Sequence, residues 1–199
     1  MQKEMSTIPE SLQAALGRVV TAADVVTVAP VAGLMAALGQ DGSSPRAGDL
    51  LPPLWHGLFC TAKLPPSRLG PDGLAKDEGL LPEAADYPNK LFGGARFEFV
   101  MPLRIGDEIR KESEVMSFDL KAGKTGVFIV GLIEHRVSNG HGLAVTEQND
   151  IIFRPPDAAV PVQNAEKKKA VPLPHDAPSA PWMRVITPDP VLMFRHSAV

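Results

Sequence analysis

An α+β fold is expected, in which one antiparallel sheet carries a helix against one face. Three observations predict it. Between Leu91 and Arg154, four runs show the alternation or apolar density of strands: Leu91–Met101, Glu108–Met116, Val127–His135 and Leu143–Phe153. Short turns join them, with glycine where a reversal needs positive φ, in Arg104-Ile105-Gly106-Asp107, Ala122-Gly123-Lys124 and Ser138-Asn139-Gly140. Upstream, Val31, Leu34, Met35 and Leu38 recur at i, i+3, i+4 and i+7, an apolar helical stripe that needs a sheet face to cover.

Taken in order, residues 1–18 hold a short helix, with Pro9 near its first turn, Leu12, Ala15 and Leu16 on one side and Gly17 as its stop. The second helix starts at Thr27 as cap, takes Pro30 in its first turn and ends at Gly39. Residues 40–90 are broken by proline and glycine yet keep Leu54, Trp55, Leu58 and Phe59. They read as a packed loop with a short helix near Trp55–Ala62, lying over a sheet edge or lining a pocket. In the first strand Phe97, Phe99 and Met101 face one way, and Arg96 and Glu98 the other. The second, dense in charge through Lys111, Glu112 and Glu114, reads as a solvated or edge strand. The third is apolar on both faces and reads as central. The fourth puts Val145, Ile151 and Phe153 on one side. Together they form an antiparallel meander. The division expected is a first unit over 1–155, a Pro/Ala/Lys-rich linker over 156–181, and the incomplete start of a second unit over 182–199.

Composition narrows the function. The chain has 199 residues, 44% apolar and 22% charged, enough for one domain with a core. A net charge of -3 gives no basic face for nucleic acid. One cysteine, Cys60, excludes an internal disulfide and a multi-cysteine metal site. The N-terminus lacks the apolar core of a signal peptide, and no run reaches membrane-spanning length, so a cytoplasmic location is expected.

Among chemical candidates, His56 in PPLWHGLF either lines a pocket as acid, base or donor, or packs a loop helix, packing being the expectation. His135 and His141 are expected to be solvated beside a hairpin. Glu147 and Asp150 are expected to pair across strands with Arg96, Arg136 or Arg154, because a half-buried carboxylate without a partner is costly. Cys60 reads as a small buried apolar residue. Gly93-Gly94 opens a strand and is no phosphate loop. No metal ligand set is expected.

Several stretches, in order, resemble one family: GDLLPPLWHGLF (48–59), LGPDG (69–73) with GLLP (79–82), KLFGGARFEFVMPLRIGD (90–107), KAGKTGVFIVGLIEHRV (121–137), AVTEQNDIIFRP (144–155), then Trp182, Arg184 and DPVLMFRHSA (189–198). They resemble the MaoC-like two-hotdog hydratases with an FAS1-like dehydratase N-terminal domain, which include 3-methylfumaryl-CoA (mesaconyl) hydratase and the mitochondrial-type 3-hydroxyacyl-thioester dehydratase. The resemblance implies a hotdog fold, an antiparallel sheet wrapped around a helix. It implies reversible addition of water to an α,β-unsaturated acyl thioester, with CoA thioester as substrate and no further cofactor. In that family the catalytic pair lies in the second hotdog, on a histidine-rich segment past the equivalent of FRHSA, and this chain stops at Val199 before it. The matching place in the first hotdog, LGQDGSSPRAGD, has no histidine, and Asp41 and Asp49 there lack a local His partner. Leu74, Lys90, Phe92 and Gly93 stand where relatives tend to have His, Arg, Trp and Ala.

The expectation is therefore a non-catalytic half that shapes the acyl pocket, with no catalytic residue of its own. Trp55, His56, Phe92 and Arg96 are its substrate-contacting candidates, and Lys90, Arg96 and Arg104 its candidates for CoA phosphates. Partners implied are an acyl-CoA or acyl-carrier thioester and a second hotdog, as domain or homodimer, with no nucleic acid and no membrane. Rival readings are a stand-alone acyl-thioester-binding module without turnover, and a homodimer acting through His56.

Overall fold

The computed structural model describes residues 7–40, 42, 44–69, 79–123, 126–156 and 189–197, with the side chains of the last segment described as far as Phe194. The element order is α1 (Glu10–Gln13), β1 (Val19–Val25), α2 (Val28–Ala37), a 3-10 turn (Trp55–Leu58), a second one (Pro66–Arg68), β2 (Asn89–Phe99), β3 (Glu108–Gly123), β4 (Gly126–Asn139), β5 (Gly142–Arg154) and α3 (Pro190–Ser197). The linker expected over 156–181 lies, but for its first residue, outside the described residues, as do Asp41 and Leu74.

The strands form one antiparallel sheet in the order β1-β3-β4-β5-β2. Two sequence expectations are corrected here. The four predicted strands are not a simple meander, because β2 pairs with β5, in register Phe99↔Val145 and Phe97↔Glu147, rather than with β3. The charged second strand is not at an edge either. It is covered on one side by β1 (Val25↔Glu108 to Val19↔Glu114) and on the other by β4. Its charge marks one face, not one border. On that outer face Arg136 donates to Glu112 (2.6 Å), Glu114 (3.1 Å) and Glu134 (3.1 Å), so the acidic residues share a cation across strands. The strand that covers it, VVTAADV, carries a weak sequence signal, because it is short and offers few β-favouring side chains beyond its valines.

The inner face carries the core in two clusters. One gathers Val115, Phe118, Ile129, Ile133 and Phe153 under Leu12 of α1 and the segment bearing Leu80, Ala84 and Tyr87. The other gathers Ile109, Val137, Ala144 and Val145 under Val31 of α2, with Leu51, Phe59, Leu103 and Ile105. Helix α2 begins and stops as expected, after Thr27 and before Gly39 (φ +64°), but it covers only the second cluster. The sheet is too long for a ten-residue helix to span its inner face, so α1 and residues 80–87 fill the rest.

Among the described glycines, room for a side chain is tightest at Gly131, which lies between Phe118 and Phe153. A Cβ there would sit 2.9 Å from the Phe118 ring and 3.2 Å from the Phe153 ring. Gly131→Ala is therefore expected to destabilise the fold by about 1–3 kcal/mol through overpacking. A urea midpoint equal to that of the unsubstituted chain would contradict this.

Candidate functional site

The two core clusters do not meet directly across the inner face. Between them run polar side chains at positions whose strand parity points inward: Ser113 on β3, His135 on β4, and Glu147 and Asn149 on β5. His135 lies opposite both Ser113 and Glu147 in register. Polar groups at core-facing positions are costly unless bonded, and these are bonded to one another. His135 Nδ1 and Ser113 Oγ lie 2.7 Å apart, and Asn149 Nδ2 donates to Glu147 Oε1 at 2.8 Å. Asn149 Oδ1 is buried with no partner among the described residues, an acceptor left open at the seam.

His56 reaches this band from above. Its Nε2 donates to Glu147 Oε2 at 3.3 Å, and its side chain is 6% exposed. The turn that presents it is held under backbone strain. Leu54 (φ +73°) and Cys60 (φ +57°) bracket Trp55–Leu58 in the left-handed region, which costs a non-glycine residue on the order of 1–3 kcal/mol. Tertiary contacts fix both ends: Leu51 N donates to Leu103 O (2.8 Å), Cys60 N donates to Asp24 Oδ2 (2.9 Å), and Phe59 is buried in the second cluster. Phe97 and Phe99 stack on each other (centroids 6.1 Å apart) and each presents its ring at a steep angle to the imidazole, at 6.0 and 6.3 Å. The imidazole is thus clamped between a carboxylate and two aromatic rings.

The electrostatics follow from this setting. The hydrogen bond from His56, aided by that from Asn149, holds the Glu147 carboxyl down at about 2 against 4.5, although burial opposes ionisation. Burial, then the charge of Lys111, pushes His135 down from 6.5 to about 4, so its ring is neutral at pH 7. The band therefore holds one fixed negative charge, on Glu147, beside a neutral imidazole.

A cavity of about 490 Å³ opens beside His56, walled by Leu50, Pro53, Phe99, Met101, Leu103 and Val145 among others, and His56 is the one titratable residue in its lining. This apolar chamber with a single polar contact suits a short hydrocarbon group. Among the described residues no group of three His, Cys, Asp or Glu is placed to hold a metal, and no helix is long and apolar enough to cross a membrane.

Of the four sequence-predicted contact residues, the structure brings His56 and the half-buried Trp55 to one turn. Phe92 and Arg96 lie elsewhere. Phe92 is 68% exposed before the β2 bulge between Phe92 and Gly94. Arg96 is on the outer face, where it grips Asp150 with two hydrogen bonds (2.9 and 3.1 Å), the cross-strand pairing expected for that aspartate. Parity explains it: Arg96 and Phe97 are neighbours, so only one of them faces inward. Glu147, expected to bond an arginine, bonds His56 instead. His135, expected to be solvated, lies inside; His141 is exposed. Among the phosphate candidates, Arg104 donates to Gly48 O (2.8 Å) and Lys90 sits 6.0 Å over the Phe153 ring.

Comparison with known proteins agrees with this architecture. The mesaconyl-C(4)-CoA hydratase of Chloroflexus aurantiacus is 33% identical over 184 residues, which cover 92% of this chain and 63% of that protein. The chain thus spans less than two thirds of that relative's length. A chain of the ChsH1–ChsH2 complex from Mycobacterium tuberculosis superposes with a TM-score of 0.52 at 15% identity, covering 73% of this chain and 93% of that one. That likeness concerns the fold, which is the hotdog, a five-stranded antiparallel sheet curled over its helix. The family model for hydroxyacyl-thioester dehydratase type 2 matches residues 54–199, which takes in the His56 turn, β2 to β5 and α3. On that match, over most of its length, the chain belongs to the hydroxyacyl-thioester dehydratase type 2 family.

Proposed function

We propose that this chain is the N-terminal half of an acyl-CoA hydratase or dehydratase, which adds water to or removes it from an α,β-unsaturated acyl thioester of the mesaconyl or 3-hydroxyacyl type. In this reading the half is non-catalytic and shapes the acyl pocket, and a second hotdog, from another chain or a second copy, supplies the reacting groups. The substrate is the CoA or acyl-carrier thioester itself, no further cofactor takes part, and the setting is cytoplasmic.

The observation that carries the reading is the apolar cavity at His56. Its lining offers walls for an acyl group and one polar contact, where hydration of a conjugated thioester needs an activated water, a proton donor and a polarised carbonyl together. The need for a partner is supported by β2. This strand is at the edge of the sheet, unpaired on its outer side among the described residues, and exposes Phe92 (68%), a border that a second hotdog would cover.

The test is complementation. The chain alone is expected to turn over neither crotonyl-CoA nor mesaconyl-C(4)-CoA, and co-production with the C-terminal half of the Chloroflexus relative is expected to give hydration. Failure to gain activity with that half, together with no binding of either thioester, would sink the proposal. A second reading, turnover through His56 oriented by Glu147, is favoured by the 3.3 Å contact between them. In the complemented enzyme His56→Ala separates the two. A pocket-wall role predicts a raised KM with kcat within a few-fold, whereas acid–base catalysis predicts a kcat lower by about 10²–10⁴-fold.

A further inference from the structure

A second cavity, of about 620 Å³, lies on the other side of the polar band, between the β1–β3 border and the loop 57–69. Its walls are apolar at Val20, Ala22, Phe59, Leu64 and Leu80. Its floor is not, because Lys111 and Ser113 lie there two positions apart on β3, with His135 in register opposite Ser113. Lys111 forms no ion pair among the described residues. An acidic group also lines the cavity, but it is already engaged: Asp24 Oδ2 accepts from Cys60 N and Oδ1 from Val25 N, and the charge of Lys63 acts on the same carboxylate. Two cations thus line the cavity without an ion pair among the described residues, Lys63 on the exposed loop and Lys111 on the floor beside Ser113, and only Lys111 stands next to the serine–histidine pair.

A protonated amine facing an apolar chamber with a serine–histidine pair beside it is the complement of a carboxylate on a short carbon chain. Ser113 is only 8% exposed, and its hydroxyl sits 2.7 Å from His135 Nδ1. With the proton on Nδ1 the imidazole donates to the serine oxygen, which leaves the hydroxyl hydrogen for an incoming oxygen. His135 is neutral at pH 7, so it brings no second cation and no competing anion.

We propose that this cavity is a subsite for an acyl group ending in a free carboxylate, with the Lys111 ammonium pairing the carboxylate and the Ser113 hydroxyl donating to it. The proposal rests on the acyl-thioester reading above and deepens it, since it selects dicarboxylic mono-thioesters over simple acyl thioesters. The chamber beside His56 has no lysine or arginine in its lining among the described residues.

The experiment is calorimetric titration of the chain with mesaconyl-C(4)-CoA and with crotonyl-CoA. Preference for the dicarboxylic thioester by about tenfold or more is expected, the size of one charge-assisted contact. Lys111→Met is expected to abolish the preference while leaving crotonyl-CoA binding unchanged. Equal affinity for the two in the unsubstituted chain, or a preference that survives Lys111→Met, overturns the subsite and leaves the acyl-thioester reading standing. If neither thioester binds, that reading fails, and the free acids decide the subsite alone. Mesaconate, but not butyrate, is then expected to shift the His135 imidazole resonances and to lose this effect in Lys111→Met. No shift, or an equal shift with both acids, overturns it.

Discussion

Phe153→Ala is expected to lower the stability of the chain by about 3–5 kcal/mol, against a typical domain total of roughly 5–15 kcal/mol. Phe153 is fully buried at the centre of the first cluster. It stands opposite Ile129 across the β4–β5 ladder and meets Phe118 edge-on, with centroids 5.9 Å apart at 71°. Gly131 leaves the room these two rings need, so both depend on one gap. Removing the Phe153 ring empties space that Phe118 alone does not fill, since strand side chains leave the sheet in fixed directions and relax little. The loss is read as a lower urea midpoint with an unchanged slope. A loss below about 1 kcal/mol would show that the cluster collapses onto the cavity. Because β5 carries both Phe153 and Glu147, the same substitution is expected to loosen the His56 contact.

Acidification from pH 7 is expected to remove stability in two successive windows, the upper one set by a single histidine. The His135 imidazole is held at about 4 in the fold, against 6.5 when free. Between those values the unfolded chain carries the proton and the folded chain does not, so unfolding takes up a proton and lower pH favours it. The contribution is whole above pH 6.5 and gone by about pH 4, on the order of 2–3 kcal/mol. Glu147 acts lower down. Its folded value of about 2 lies below 4.5, so its contribution is whole above pH 4.5 and lost as pH falls toward 2. That loss is smaller than the shift alone suggests, since Glu147 keeps an open side where solvent screens it.

Stability against urea between pH 7 and 4 checks the upper window. His135→Gln is expected to flatten it whatever its effect on absolute stability, because the slope counts protons and not contacts. A flat profile in the unsubstituted chain, or an unchanged slope in the variant, would contradict the assignment. Glu147→Gln is expected to reduce the lower window only in part, because Asp24, Glu112 and Asp150 are also held below their ordinary values by hydrogen bonds.

Strand alternation, glycine turns and the Val31 stripe are local properties of the chain, and they were enough to give the α+β class, strands β2 to β5 and both ends of α2. The inward polar band was legible too, in retrospect. Glu147 and Asn149 share parity with Val145, Ile151 and Phe153, and His135 shares it with Ile133 and Val137, so polar residues stood in core phase before any fold was known. That signal competes with another, because a carboxylate in a strand also suggests a cross-strand arginine, and Arg96 serves Asp150 in that way.

The amino-acid sequence by itself determined the kinds of element and which side chains share a face, because periods of 2 and 3.6 are fixed by backbone geometry. Tertiary structure alone decided that β2 returns beside β5, that β1 covers the charged strand, and that His56, 91 positions from Glu147, meets its carboxylate. Those outcomes depend on which strand edges pair and on a turn strained at Leu54 and Cys60, and such long-range choices leave no periodic trace in the chain. The stretch 48–59, GDLLPPLWHGLF, thus names the histidine, while the fold supplies the glutamate, the aromatic clamp and the cavity that give it a task.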